Sequence, residues 1–167
     1  MTAVRRPPTD VVIRWGLTRV VLLVALWFSY PTTLSWTAPP FRPAYRATAD
    51  SNIDWGQDLR RLAAWSENRT PEPYIAYVGP RGVGAGELPG TRLLMSEPPD
   101  RIRGWVAVSA RLLIVYDRDE LSWLRAYCPV DIVGGSILVY RFAEPPTATP
   151  GPTVPRSPCD GKYSTRT

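Results

Sequence analysis

Residues 20–41 carry no charge, and the first eleven of them, VVLLVALWFSY, are almost wholly apolar. No other feature restricts the fold as strongly. A helix crossing about 30 Å of hydrocarbon needs about 20 residues at about 1.5 Å rise, so a span built on this block must borrow from 11–16 before it or 31–36 after it. We therefore expect a single transmembrane anchor over 11–36, following a cytoplasmic N-terminus at 1–10. Trp27, Phe28 and Tyr30 would present a face to membrane partners, and Arg14 and Arg19 would snorkel to the near interface. The first 19 residues hold Arg5, Arg6, Arg14 and Arg19 against Asp10 alone, and they account for most of the formal charge of +5. Positive charge on that flank keeps it in the cytoplasm and sends the bulk of the chain to the other side. Two other readings stay open. One is a cleaved signal peptide ending near Ser35, Thr37 and Ala38, although Pro39 and Pro40 follow at once. The other is a hydrophobic helix buried inside a protein.

The remaining composition removes whole classes of chemistry. The chain has 167 residues and no histidine, so triads with an imidazole base and histidine-ligated metals are excluded. Its two cysteines cannot build a four-cysteine metal site. We expect no metal and no cofactor. Outside the N-terminal flank, arginines alternate with acids, which describes a solvated surface and argues against nucleic acid as a partner.

Residues 37–49 contain three prolines and no periodicity, and they read as a spacer. A compact domain is expected over 50–143 and a proline-rich flexible tail over 144–167. Within the domain, Asp50, Ser51 and Asn52 precede Trp55, Leu59 and Leu62, spaced i, i+4, i+7, which predicts an amphipathic helix. Strands are expected at 74–78, at 105–110 with an extension over 112–116, and at 136–142; a second helix is expected at 119–127. A glycine-rich loop fills 79–90. This order predicts an α/β domain with helices packed on a short sheet.

The densest polar cluster is Asp50, Asn52, Asp54, Gln57 and Asp58 around Trp55. With Asp54 and Asp58 one helical turn apart, carboxylates beside an exposed tryptophan could hold a sugar or a cation. A structural cap with Trp55 buried on the apolar stripe is the competing reading, and it carries more weight because acids in a first turn complement the helix dipole. The run Gly82-Val83-Gly84-Ala85-Gly86 lacks the lysine and helix of a phosphate loop. Cys128 and Cys159 could pair in an oxidising compartment, tying the tail to the domain, or could be unrelated.

The string DSNIDWGQDL at 50–59 resembles a motif of polyprenyl-phosphate-dependent membrane glycosyltransferases related to the protein mannosyltransferases and the aminoarabinose transferase. There it lies at the start of a C-terminal extracytoplasmic region. Tyr77-Val78-Gly79, the segment 104–109, Cys128-Pro129 and the segment 134–140 continue the likeness in the same order, so it covers roughly residues 45–142. The multi-helix catalytic core of those enzymes has no counterpart here, and the resemblance therefore implies a fold without a transferable catalytic residue. The expected function is a non-catalytic single-pass accessory subunit, its N-terminus cytoplasmic in a bacterial inner membrane. Its extracytoplasmic or periplasmic domain would cap or bridge partners in a respiratory, photosynthetic or envelope-building complex. The alternative is a module that binds carbohydrate or polyprenyl phosphate and assists a separate glycosyltransferase.

Overall fold

The computed structural model describes residues 9–29, 44–47, 54–78, 88–116, 119–147 and 149. The chain falls into two compact units, Met1–Thr33 and Leu34–Thr167.

The first unit contains helix α1 (Thr9–Ser29). Val20, Val21, Leu22, Leu23, Val24, Leu26 and Trp27 are all exposed on it, Trp27 at 81%. These residues are consecutive enough to occupy every side of the helix, so the apolar surface is not a single stripe. The expected span of 11–36 overlaps α1 through Ser29, with Arg14 and Arg19 inside both, and its remainder, 30–36, lies outside the described residues. Among the described residues no helix is long and apolar enough to cross a membrane. Phe28 falls in the last turn of α1, and Tyr30 lies outside the described residues.

The second unit is an α/β domain. It begins with α2 (Ala44–Ala47), whose Ala44 and Tyr45 are buried. Tyr45 joins the main core, so the stretch expected as spacer contributes to the domain. Helix α3 (Leu59–Glu67) follows, then β1 (Tyr74–Ala76), β2 (Arg92–Leu93) and β3 (Gly104–Ser109). After α4 (Ala110–Ile114) come a 3-10 segment (Asp119–Ala126), β4 (Asp131–Val133) and β5 (Ile137–Phe142). The strands form one mixed sheet in the order β2-β1-β3-β5-β4. β1 runs parallel to β2 and β3, whereas β5 is antiparallel to β3 and β4.

Strand alternation explains why both faces of the sheet are buried. Tyr74 and Ala76, Val106 and Val108, and Leu138, Tyr140 and Phe142 point to one side. There they meet Leu112, Leu113, Leu121, Trp123 and Leu124 from α4 and the 3-10 segment. Ile75, Ala107, Ile137 and Val139 point to the other side, against Leu62 of α3 with Leu59, Ala63 and Trp65 around it. Trp65 and Trp105 meet edge to face at 5.8 Å. The sheet is thus the middle of three layers.

Residues 112–116, expected as a strand, do not extend β3; α4 occupies them as far as Ile114. The register gives the reason. β3 pairs with β5 only as far as Ser109 opposite Ile137, and the Ala110 N–H closes the ladder on the Ser136 carbonyl at 2.8 Å. Beyond that point β5 offers no partner, and the helix-forming leucines turn the chain. The glycine-rich run 82–86 lies outside the described residues.

Candidate functional site

The polar cluster predicted around Trp55 does not sit on a helix. The Asp54 carboxylate Oδ1 accepts the Gly56 N–H at 2.8 Å, and Gln57 Oε1 accepts the Trp55 N–H at 2.8 Å. Gly56 has φ +100°, a left-handed conformation that interrupts any helix through this point. Helix α3 consequently starts at Leu59 with Asp58 as its N-terminal flanking residue. Asp54 and Asp58 are not one turn apart on a helical face; they converge because the turn folds one back toward the other.

Both carboxylates are fully buried. Ser136, at the start of the chain's return into β5, brings its Oγ to 2.9 Å from Asp54 Oδ2 and 2.7 Å from Asp58 Oδ2. The Tyr77 hydroxyl donates to Asp54 Oδ1 at 3.1 Å, and Arg61 Nη1 donates to Asp58 Oδ1 at 2.8 Å in an ion pair. Gly134, with φ +69°, passes so close that a Cβ placed on it would fall on the Asp58 carboxyl group. Three sequence regions, 54–61, 77 and 134–136, are therefore tied together through two acids and one serine.

Burial raises the pKa of Asp54 above the ordinary aspartate value of 3.8, and the neighbouring Asp58 charge adds to the effect. Hydrogen bonds from Gly56, Ser136 and Tyr77 act in the opposite direction and do not overcome it. The Tyr77 hydroxyl is pushed up by burial and by the facing Asp54. These groups serve one another, and the two carboxylates present no oxygen to solvent.

Trp55 is 49% exposed, which corrects the expectation of a buried ring on the apolar stripe. With α3 starting four residues later, Leu59, Leu62 and Ala63 form that stripe without it. The Arg111 guanidinium lies 5.8 Å from the centre of the Trp55 ring and 5.1 Å from that of Tyr116. Its Nε is buried without a hydrogen-bond partner. Gln57 is half-buried, while Asp50 and Asn52 lie outside the described residues. Cys128 is buried and disulfide-bonded; Cys159, the other cysteine of the sequence, lies outside the described residues. Among the described residues no group of three His, Cys, Asp or Glu side chains could hold a metal ion.

Sequence reasoning found both aspartates but missed Ser136, Tyr77, Arg61 and Arg111. Ser136 lies 82 and 78 residues from the two acids it joins. Its one local signal was the Gly134-Gly135 pair before it, which was readable as a turn but not as a receptor for a carboxylate. Comparison of the chain with known protein families, with characterised proteins and with solved structures returns no match.

Proposed function

We propose that the chain is a non-catalytic, membrane-bound accessory subunit: α1 seats it in the bilayer among other membrane proteins, and the α/β domain caps or bridges them. The carrying observation is the apolar surface exposed on every side of α1 between Val20 and Trp27. A helix apolar all round is stable only where apolar matter surrounds it. Among the described residues α1 is not long and apolar enough to cross a membrane, so the reading places it among other membrane helices and not alone in lipid. Its N-terminal half carries Arg14 and Arg19, so seating it requires snorkelling to the interface and cover from neighbouring helices. The domain supports the same reading. Its most concentrated carboxylates are spent on holding the chain to itself, and the resemblance to glycosyltransferase domains is carried largely by those same residues.

A charge placed in the middle of the apolar run costs about 2.5–3.5 kcal/mol in a membrane-inserted helix. Leu23→Asp with Leu26→Asp should therefore release most of the protein from membranes that retain the wild-type chain through an alkaline wash. Equal retention of both proteins would contradict the membrane seating of α1.

A second reading is favoured by the exposed rings of Trp55 and Tyr116 on either side of the half-buried Arg111. An arginine flanked by two rings suits an anionic saccharide such as a lipid-linked sugar phosphate, with stacking on the rings and charge on the guanidinium. Under this reading Trp55→Ala and Arg111→Gln each weaken binding of the wild-type chain to vesicles carrying a polyprenyl-phosphate sugar by about tenfold or more. Binding unchanged in both variants would remove it.

A further inference from the structure

The contact between Ser136 and the two aspartates raises a question of proton count. A serine hydroxyl has one hydrogen. It stands within hydrogen-bond distance of two carboxylate oxygens, one from Asp54 and one from Asp58, inside a region closed to solvent. If both acids were ionised, one hydrogen would be divided between two negative groups, and the like charges would face each other across a single oxygen. If one acid is neutral, the arrangement is complete: the acid donates to the serine oxygen, and the serine donates to the remaining carboxylate.

The surroundings decide which acid is neutral. Asp58 Oδ1 is held by the Arg61 guanidinium at 2.8 Å, a contact that favours negative charge on this acid over its neighbour. Among the described residues no cation makes a hydrogen bond to Asp54; its Oδ1 takes the Gly56 N–H and the Tyr77 hydroxyl, both of which a neutral acid can accept on its carbonyl oxygen. Among the described residues, the charged and titratable groups around the pair are Arg61 from α3, Tyr77 after β1 and Arg111 from α4, whose charge acts on Tyr77. We propose that the folded protein holds Asp54 as the neutral acid, its Oδ2–H donating to Ser136 Oγ and the Ser136 hydrogen passing to Asp58. Folding then takes up a proton at this clamp, and the tie between 54–61, Tyr77 and Ser136 slackens when that proton leaves.

The sign of the pH dependence follows. A carboxyl that keeps its proton to higher pH when folded than when unfolded contributes stability that is complete below its unfolded value, near 3.8. That contribution is lost as pH rises through the folded value. Each pH unit between the two values lowers the folding constant tenfold once the pH is above both.

Asparagine reproduces the neutral acid, with its amide N–H₂ donating to Ser136 and its carbonyl accepting from Gly56 and Tyr77. In denaturant unfolding of the full chain, Asp54→Asn should match the wild type near about pH 4 and exceed it increasingly toward about pH 8. Asp58→Asn should be less stable than the wild type at both. Carbon NMR of the full chain labelled at aspartate carboxyls should show one resonance that titrates above the ordinary range and disappears in Asp54→Asn. An Asp54→Asn protein destabilised as much as Asp58→Asn at both pH values would overturn the proposal. So would a wild-type spectrum in which every described aspartate titrates at or below the ordinary value, and this second readout decides the matter even if a variant fails to fold.

Discussion

Replacing Gly134 with alanine should cost the α/β domain about 3–5 kcal/mol, a large part of the stability of a domain this size. Two effects combine. Gly134 has φ +69°, where a side chain is strained by about 1–2 kcal/mol. The added methyl would also fall on the Asp58 carboxyl group, and that group cannot retreat without leaving Arg61 and Ser136. A buried carboxylate separated from its partners is among the costliest defects a fold can carry. Gly90 is the internal comparison: it has the same φ of +69° but open space around it, so Gly90→Ala should show the backbone term alone. Denaturant midpoints of the two variants separate the contributions, and equal losses would show that the approach of Gly134 to Asp58 carries no energy.

The second large effect is expected at Asp58 itself. Asp58→Ala should destabilise the domain by about 3–5 kcal/mol, because it leaves Arg61 without its carboxylate and Ser136 without the acceptor of its hydrogen. The arginine is partly open to water, with 31% of its side chain exposed, which places the cost toward the lower end of that range. Combining Asp58→Ala with Gly134→Ala should cost much less than the sum of the two, since the methyl would then enter the space the carboxylate vacated. Additive losses in that double variant would count against a direct contact.

Much of the domain was legible in the sequence because its strands announce themselves locally. The runs YIAYV, WVAVSA and SILVYRF are short, β-branched and aromatic, and they correspond to β1, β3 and β5. β2 and β4 were not anticipated. They are two and three residues long and become strands only through the neighbours they pair with. The 112–116 stretch was misjudged because its apolar residues suit a buried helix as well as a strand, and the end of β5 pairing decides between them.

At the candidate site, the choice of acids was legible and their purpose was not. Asp54 and Asp58 stand out by density, but their spacing alone suggests a shared helical face, which Gly56 at φ +100° between them breaks. Tyr77 follows β1 and Ser136 precedes β5, and no local pattern connects them to the acids. The acids bind a distant serine, only one of them binds a nearby backbone amide, and Asp58 makes no side-chain cap to α3. Trp55 went the other way: once the helix begins at Leu59, the ring leaves the apolar stripe and faces outward beside Arg111.

The proposal that α1 places this domain within a membrane assembly is tested most directly by extracting the full chain from its native membranes in a mild detergent, sizing the particle and identifying its components by mass spectrometry. The account predicts a particle several times larger than the 18.7 kDa chain, containing other membrane proteins in fixed proportion, and its loss when Leu23 and Leu26 are both changed to aspartate. A small, uniform species containing this chain alone would contradict it.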